Sequence, residues 1–156
     1  MMTSFKRILL AEDSSKDVEL TLAALDEHNL ANEVVVASDG AEALDYLYCR
    51  GKYKLRSPDN PVVVLLDLKM PKVDGLEVLR TIKSDDRLRA IPVVMLTSSR
   101  EEKDLVESYK LGVNAYVVKP VDFQDFISAV KELGFFWAVI NEAPPTAVPQ
   151  TSSQTS

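Results

Sequence analysis

Cysteine is nearly absent from this 156-residue sequence: the single thiol, Cys49, cannot close an internal disulfide. Histidine is as rare, and the lone His28 sits in LDEHNLANE at the end of a helical stretch, where a surface position is expected. Glycine numbers five, none clustered, and neither a G-x-x-x-x-G-K-[ST] loop nor a G-x-G-x-x-G fingerprint occurs. A chain without such a cradle is not expected to take phosphate from ATP directly. Long apolar runs are missing too. GFFWAVI is too short to span a bilayer, and MMTSFKR enters ILLA without an apolar region of signal-peptide length. A cytoplasmic location is therefore expected. Basic charge is in deficit, 18 Lys and Arg against 24 Asp and Glu for a formal charge of -6. That balance argues against nonspecific binding to nucleic acid or to an anionic membrane surface.

What is present is enough for one ordinary core, with 46% hydrophobic and 27% charged residues. Short apolar runs alternate with longer stretches of helical period. The runs are RILLA (Arg7 to Ala11), EVVVA (Glu33 to Ala37), VVVLL (Val62 to Leu66), PVVML (Pro92 to Leu96) and AYVV (Ala115 to Val118). Each is followed by a capping signature: Ser14 with Asp17, Asp39 with Glu42, Asp74 with Glu77, Ser99 with Glu102, and Asp122 with Asp125. In such a box the first side chain accepts from an orphan helix N–H and the acid three residues on reaches back. Strand then helix, repeated five times, predicts an α/β, doubly wound (βα)5 fold with a mostly parallel sheet and helices on both faces. Periodicity does not give the strand order.

Two stretches break the rhythm. Tyr48 to Pro61, YCRGKYKLRSPDNP, carries Arg50, Lys52, Lys54 and Arg56 and reads as a solvated loop, with a partner-contact loop as the alternative. From Asn141 the chain is rich in Pro, Ser and Thr, so residues 5–140 are taken as the domain and 141–156 as a disordered tail.

The ends of the apolar runs carry the chemistry. VVVLL runs straight into a carboxylate, Asp67, read as the last residue of its strand; a buried charge there demands a cationic partner. The first strand delivers Glu12 and Asp13, the fourth Thr97 and Ser98, the fifth Lys119. In an open parallel sheet the carboxyl ends of all strands share one edge, where ligands bind. Taken singly, Asp13 is explained as a cap, Asp67 as a turn former, Thr97 as a strand-end hydroxyl and Lys119 as a snorkelling base. Four such accidents at successive strand ends are a poorer account than a site. Three acids facing one lysine call for a hard divalent cation, and Mg2+ suits carboxylates, waters and a phosphate. A carboxylate there can accept a phosphoryl group as an acyl phosphate, while the cation, Lys119 and Thr97 meet the developing charge.

The acidic pair ED after the first strand, LLDLKMPKVDG, VVMLTSS and AYVVKP occur in an order that resembles the receiver domains of two-component response regulators. The resemblance spans Lys6 to about Ile140. It implies strand order 2-1-3-4-5, which the flavodoxin-like chemotaxis receiver exemplifies. It also implies Asp67 as phosphoacceptor and Mg2+ on Asp13, Asp67 and the Lys69 carbonyl, with Glu12 helping through water. Thr97 and Tyr116 resemble the switch pair, and Lys119, before a cis peptide to Pro120, the phosphoryl-binding lysine. DGAEALDYLYCRGKY, SYKLGVNAYVVKPVDFQDF and FFWAVINEAPP resemble single-domain regulators paired with bacterial phytochrome histidine kinases. That likeness implies a histidine kinase partner and a homodimer through the last helix near Trp137. It also implies signalling through the domain's own surfaces, with no catalysis beyond its own phosphotransfer and dephosphorylation. A haloacid-dehalogenase-like phosphotransferase would carry a second Asp where this chain has Lys69, and a receiver-like adaptor that never takes phosphate would be expected to have lost Asp67, Thr97 or Lys119. A flavodoxin is excluded because Glu12 and Asp13 would repel a flavin phosphate.

Overall fold

The computed structural model describes residues 7–27 and 33–119. Within them, strands β1 (Arg7–Ala11), β2 (Glu33–Ala37), β3 (Val63–Leu66), β4 (Val93–Thr97) and β5 (Ala115–Val118) alternate with helices α1 (Ser15–Glu27), α2 (Gly40–Leu47), α3 (Gly75–Ser84) and α4 (Glu102–Lys110). The sheet is parallel throughout, in the order β2-β1-β3-β4-β5. This is the flavodoxin-like order expected above. The expected fifth helix, the bond to Pro120, His28, the Trp137 segment and the tail lie outside the described residues.

Alternation along the strands sorts the core into two layers, as a side-chain period of two requires. Leu9, Ala11, Val64, Leu66 and Met95 pack with Leu47 of α2 and Val78, Leu79 and Ile82 of α3 on one face. Ile8, Leu10, Val63, Leu65, Val94 and Leu96 pack with Leu25 and the half-buried Val18 and Leu22 of α1 on the other. Because both faces are covered, β3 and β4 are buried at every position, which is why their sequences are unbroken apolar runs. Two run boundaries shift by a residue. Val62 precedes β3, and Asp67 lies just past its end, although the Asp67 N–H still donates to the Ala11 carbonyl at 3.0 Å. Pro92 precedes β4 and contributes only its carbonyl, to Val64 N–H, because it has no N–H for the ladder.

The first halves of three capping boxes form as read. Ser14 Oγ accepts from Asp17 N–H, Asp39 Oδ1 from Glu42 N–H, and Asp74 Oδ1 from Glu77 N–H. The second halves do not, since the acids find better partners: Asp17 turns to Lys119, Glu42 accepts from Ser38, and Glu77 pairs with Arg80. Ser99 is no cap for α4. The cap position is Glu101, without a side-chain bond, and the Ser99 hydroxyl instead donates to Asp104 at 2.5 Å. The inner face of α4 is itself unusual: its buried residues are Asp104 and Ser108, while Leu105, Val106 and Tyr109 are exposed.

The loop read as solvated is tied down on α2. Its chain makes a 3-10 turn at Gly51–Tyr53. Arg50 pairs with Asp45 at 2.8 Å and Lys52 with Glu42 at 2.9 Å. The Arg56 guanidinium covers the Tyr46 ring at 3.9 Å while its Nε donates to the Tyr46 carbonyl. Aromatic anchoring, invisible to a charge count, is the reason: Tyr46 and Tyr53 meet edge to face at 5.1 Å. At the centre is Glu42, which accepts from the Tyr53 hydroxyl at 2.6 Å, from both Ser38 donors and from Lys52. Burial pushes its carboxyl up, but these donors outweigh burial and bring it down to about 2. A depressed acid contributes stability that is full above its ordinary value near 4.5 and is lost as pH falls towards about 2. Glu42→Gln is therefore expected to lose roughly 1.5 kcal/mol at pH 7 by urea denaturation. The gap from the parent should close between about pH 4.5 and about pH 2.

Candidate phosphoacceptor and metal site

The parallel order brings the carboxyl ends of β1, β3, β4 and β5 to one edge, and the predicted residues meet there. Glu12 follows β1 and is fixed by its N–H, which donates to the Ala37 carbonyl of β2 at 2.9 Å. Asp13, the next residue, is exposed. Asp67 follows β3 with little exposure, and Thr97, the last residue of β4, is fully buried. Lys119 follows β5 and is fixed by its N–H on the Thr97 carbonyl at 2.8 Å. One oxygen each of Glu12, Asp13 and Asp67 lies within 4.8 Å of the others. Two unit charges at that spacing repel by roughly 3 kcal/mol at an effective dielectric of about 20. The donor set is all oxygen and partly open to solvent, which fits a hard divalent cation.

The chain around Asp67 is held by a close approach. Gly75 N–H donates to the Leu68 carbonyl at 2.8 Å. A Cβ on Gly75 would stand 2.2 Å from the Asp67 carbonyl oxygen. Only glycine lets α3 begin against the strand end. Lys69, two residues past Asp67, is exposed and occupies the position where a haloacid-dehalogenase-like enzyme would carry its second Asp.

Among the described residues, one ammonium meets these acids. Lys119 Nζ lies 2.5 Å from Glu12 Oε1, 2.9 Å from Asp17 Oδ2 and 3.5 Å from Asp67 Oδ2. Burial lowers the lysine, but the hydrogen bonds to Glu12 and Asp17 and the field of Asp67 outweigh it, and the net shift is upward. Glu12 is also raised, first by burial and with help from the charge on Asp67, against the pull of Lys119 and Ser14 N–H. Asp17 is the residue that sequence reading missed. Its place in the first turn of α1 reads as the acid of a capping box, and because Asp13 precedes the helix no helical spacing signals that Asp17 joins the site.

Thr97 and Tyr116 both bond to Ser99. Thr97 Oγ1 accepts from Ser99 N–H at 3.2 Å, and the Tyr116 hydroxyl donates to the Ser99 carbonyl at 3.2 Å. Burial raises the Tyr116 phenol. The Ser99 hydroxyl bonded to Asp104 extends this chain to α4.

The sequence matches the response regulator receiver domain family over residues 8–131. The chain belongs to that family. The solved bacteriophytochrome response regulator AtBRR is 64% identical, with a TM-score of 0.81 over 90% of this chain and 100% of that one. Rcp1 of Synechocystis sp. is 41% identical over 132 residues, 85% of this chain and 88% of its own length. Its Mn(2+)-bound structure aligns at 39% identity with a TM-score of 0.71, covering 85% and 94%. The phosphorylated cyanobacterial phytochrome regulator RcpA is 42% identical, with a TM-score of 0.72 over 86% and 94%. This chain is thus a signalling receiver domain related to phytochrome-associated regulators, and no described helix is long and apolar enough to cross a membrane.

Removing the shared ammonium leaves the nearly buried Glu12 beside Asp67 without a cationic partner, with only the Ser14 N–H to meet it. Lys119→Met is expected to cost about 3 kcal/mol in the presence of EDTA, the scale for breaking a buried pair from one side. Comparison of urea midpoints with the parent checks it.

Proposed function

We propose that this protein accepts a phosphoryl group on Asp67 from a phosphohistidine of a partner histidine kinase, a bacterial phytochrome being the favoured class. The reading is carried by one observation: a nearly buried Asp67 shares an oxygen cluster with Glu12 and Asp13 while the Lys119 ammonium lies 3.5 Å from its Oδ2. An Asp67 carboxylate oxygen bonds to phosphorus as the phosphorus–nitrogen bond breaks, and the imidazole leaves with the electron pair. Lys119 and the Thr97 hydroxyl meet charge on the transferred oxygens. Asp13, Asp67 and the Lys69 carbonyl would hold Mg2+, with the Glu12 carboxylate adding negative charge beside them. When bound, Mg2+ supplies positive charge that offsets the carboxylates and the phosphoryl oxygens. Likeness to a regulator solved with Mn(2+) and to another solved phosphorylated supports this reading, as does likeness to bacteriophytochrome regulators for the kinase class.

The readout runs through Thr97 and Tyr116. As Thr97 is drawn to the phosphoryl group it releases Ser99 N–H, and the bond from Tyr116 to the Ser99 carbonyl is remade with the ring turned inward. The protein works in the cytoplasm, and formation of a homodimer passes its state on. No substrate other than its own phosphoryl group is processed.

With acetyl phosphate and Mg2+, intact mass should rise by one phosphoryl group, and Asp67→Asn should show no gain. An alkali-labile phosphate on the variant would move the acceptor elsewhere. Asp13→Ala should weaken Mg2+ binding by at least tenfold in calorimetric titration, the scale for a metal carboxylate.

A further inference from the structure

We propose that Asp17 is a positioning residue that draws the Lys119 ammonium off Asp67 and competes with the phosphoryl group for it. The inference rests on the phosphoacceptor reading and adds a residue that the reading does not use. An ammonium has three N–H donors, and here three carboxylates divide them, with Asp67 the farthest at 3.5 Å. The lysine pivots from a fixed point, since its backbone N–H is bound to Thr97. Asp17 is fixed as well. Its own N–H is held by Ser14 Oγ at 3.2 Å, and Ser14 N–H is taken by Glu12 Oε2 at 3.1 Å rather than by Asp17. The Asp17 side chain is thereby left for Lys119, at 2.9 Å.

A phosphoryl group on Asp67 adds acceptor oxygens and negative charge, and Lys119 can serve them only by giving up a present partner. Relative exposure decides which one. The Glu12 side chain is 3% exposed and would be stranded without its cation, whereas that of Asp17 is 35% exposed and can be rehydrated. Asp17 therefore yields first, and its pull on Lys119 is subtracted from phosphoryl binding. The residue sets how readily the site changes state without touching the transferred group.

The test is calorimetric titration of beryllofluoride, a phosphoryl mimic, at saturating Mg2+. Asp17→Asn should bind about threefold more tightly than the parent, within the range of a partly exposed ion pair. Glu19→Gln, which removes the same charge from an exposed position of α1, should match the parent. In a Lys119→Ala background, titrated over a wider concentration range, Asp17→Asn should change nothing. Unchanged or weaker binding by Asp17→Asn overturns the inference. So does equal tightening by Glu19→Gln or in the Lys119→Ala background, since either makes the effect one of general charge. If the parent itself fails to bind beryllofluoride with Mg2+, the phosphoacceptor reading falls and takes the inference with it.

Discussion

One lysine faces too many acids. Lys119 is shared by Glu12, Asp17 and Asp67, and Asp13 adds a further carboxylate to the same edge. The parallel sheet imposes this crowding, because every strand delivers its carboxyl end to the same side. Glu12, Asp17 and Asp67 are each pinned by a bond of their backbone N–H, so these three acids have little room to spread apart. The imbalance is tolerable because both faces of the strands beneath are packed with aliphatic side chains. Core and site stand in opposition here, one contributing the stability that the other consumes.

Local signals were legible. Apolar runs located the strands to within a residue, and Ser14, Asp39 and Asp74 announced the starts of α1, α2 and α3. Each depends only on neighbours in sequence. Strand order was legible through motif resemblance and not through periodicity, since pairing depends on contacts far apart in the chain. What stayed hidden was the destination of the second acid in each box. Asp17 pairs with Lys119, 102 residues away, and Glu42 with the tyrosine and lysine of a loop that charge alone assigned to solvent. A side chain with two possible partners, one local and one distant, cannot be assigned from spacing. Ser99 illustrates the same failure at short range: α4 starts two residues later than read, with Glu101 at the cap position, and the Ser99 hydroxyl accepts from Glu101 N–H while donating to Asp104.

The site is wired to its surroundings by few bonds. Ser99 alone joins Thr97, Tyr116 and Asp104, using its N–H, its carbonyl and its hydroxyl. A displacement at the end of β4 therefore reaches α4 through Ser99, while β5 is tied to it directly as well, by the Lys119 N–H on the Thr97 carbonyl.

That economy gives the inverted burial of α4 its meaning. A helix that buries Asp104 and Ser108 and leaves Leu105, Val106 and Tyr109 outside gains little from the withdrawal of apolar surface from water. Of its two buried side chains only Asp104 makes a hydrogen bond, from the Ser99 hydroxyl, while Ser108 Oγ is buried without a partner; a single directional bond weakens steeply when geometry shifts. Helices α2 and α3 are bolted by volume, and α4 is hung by a hook. Among the described helices it is the one that can be reseated at the least expense to the core.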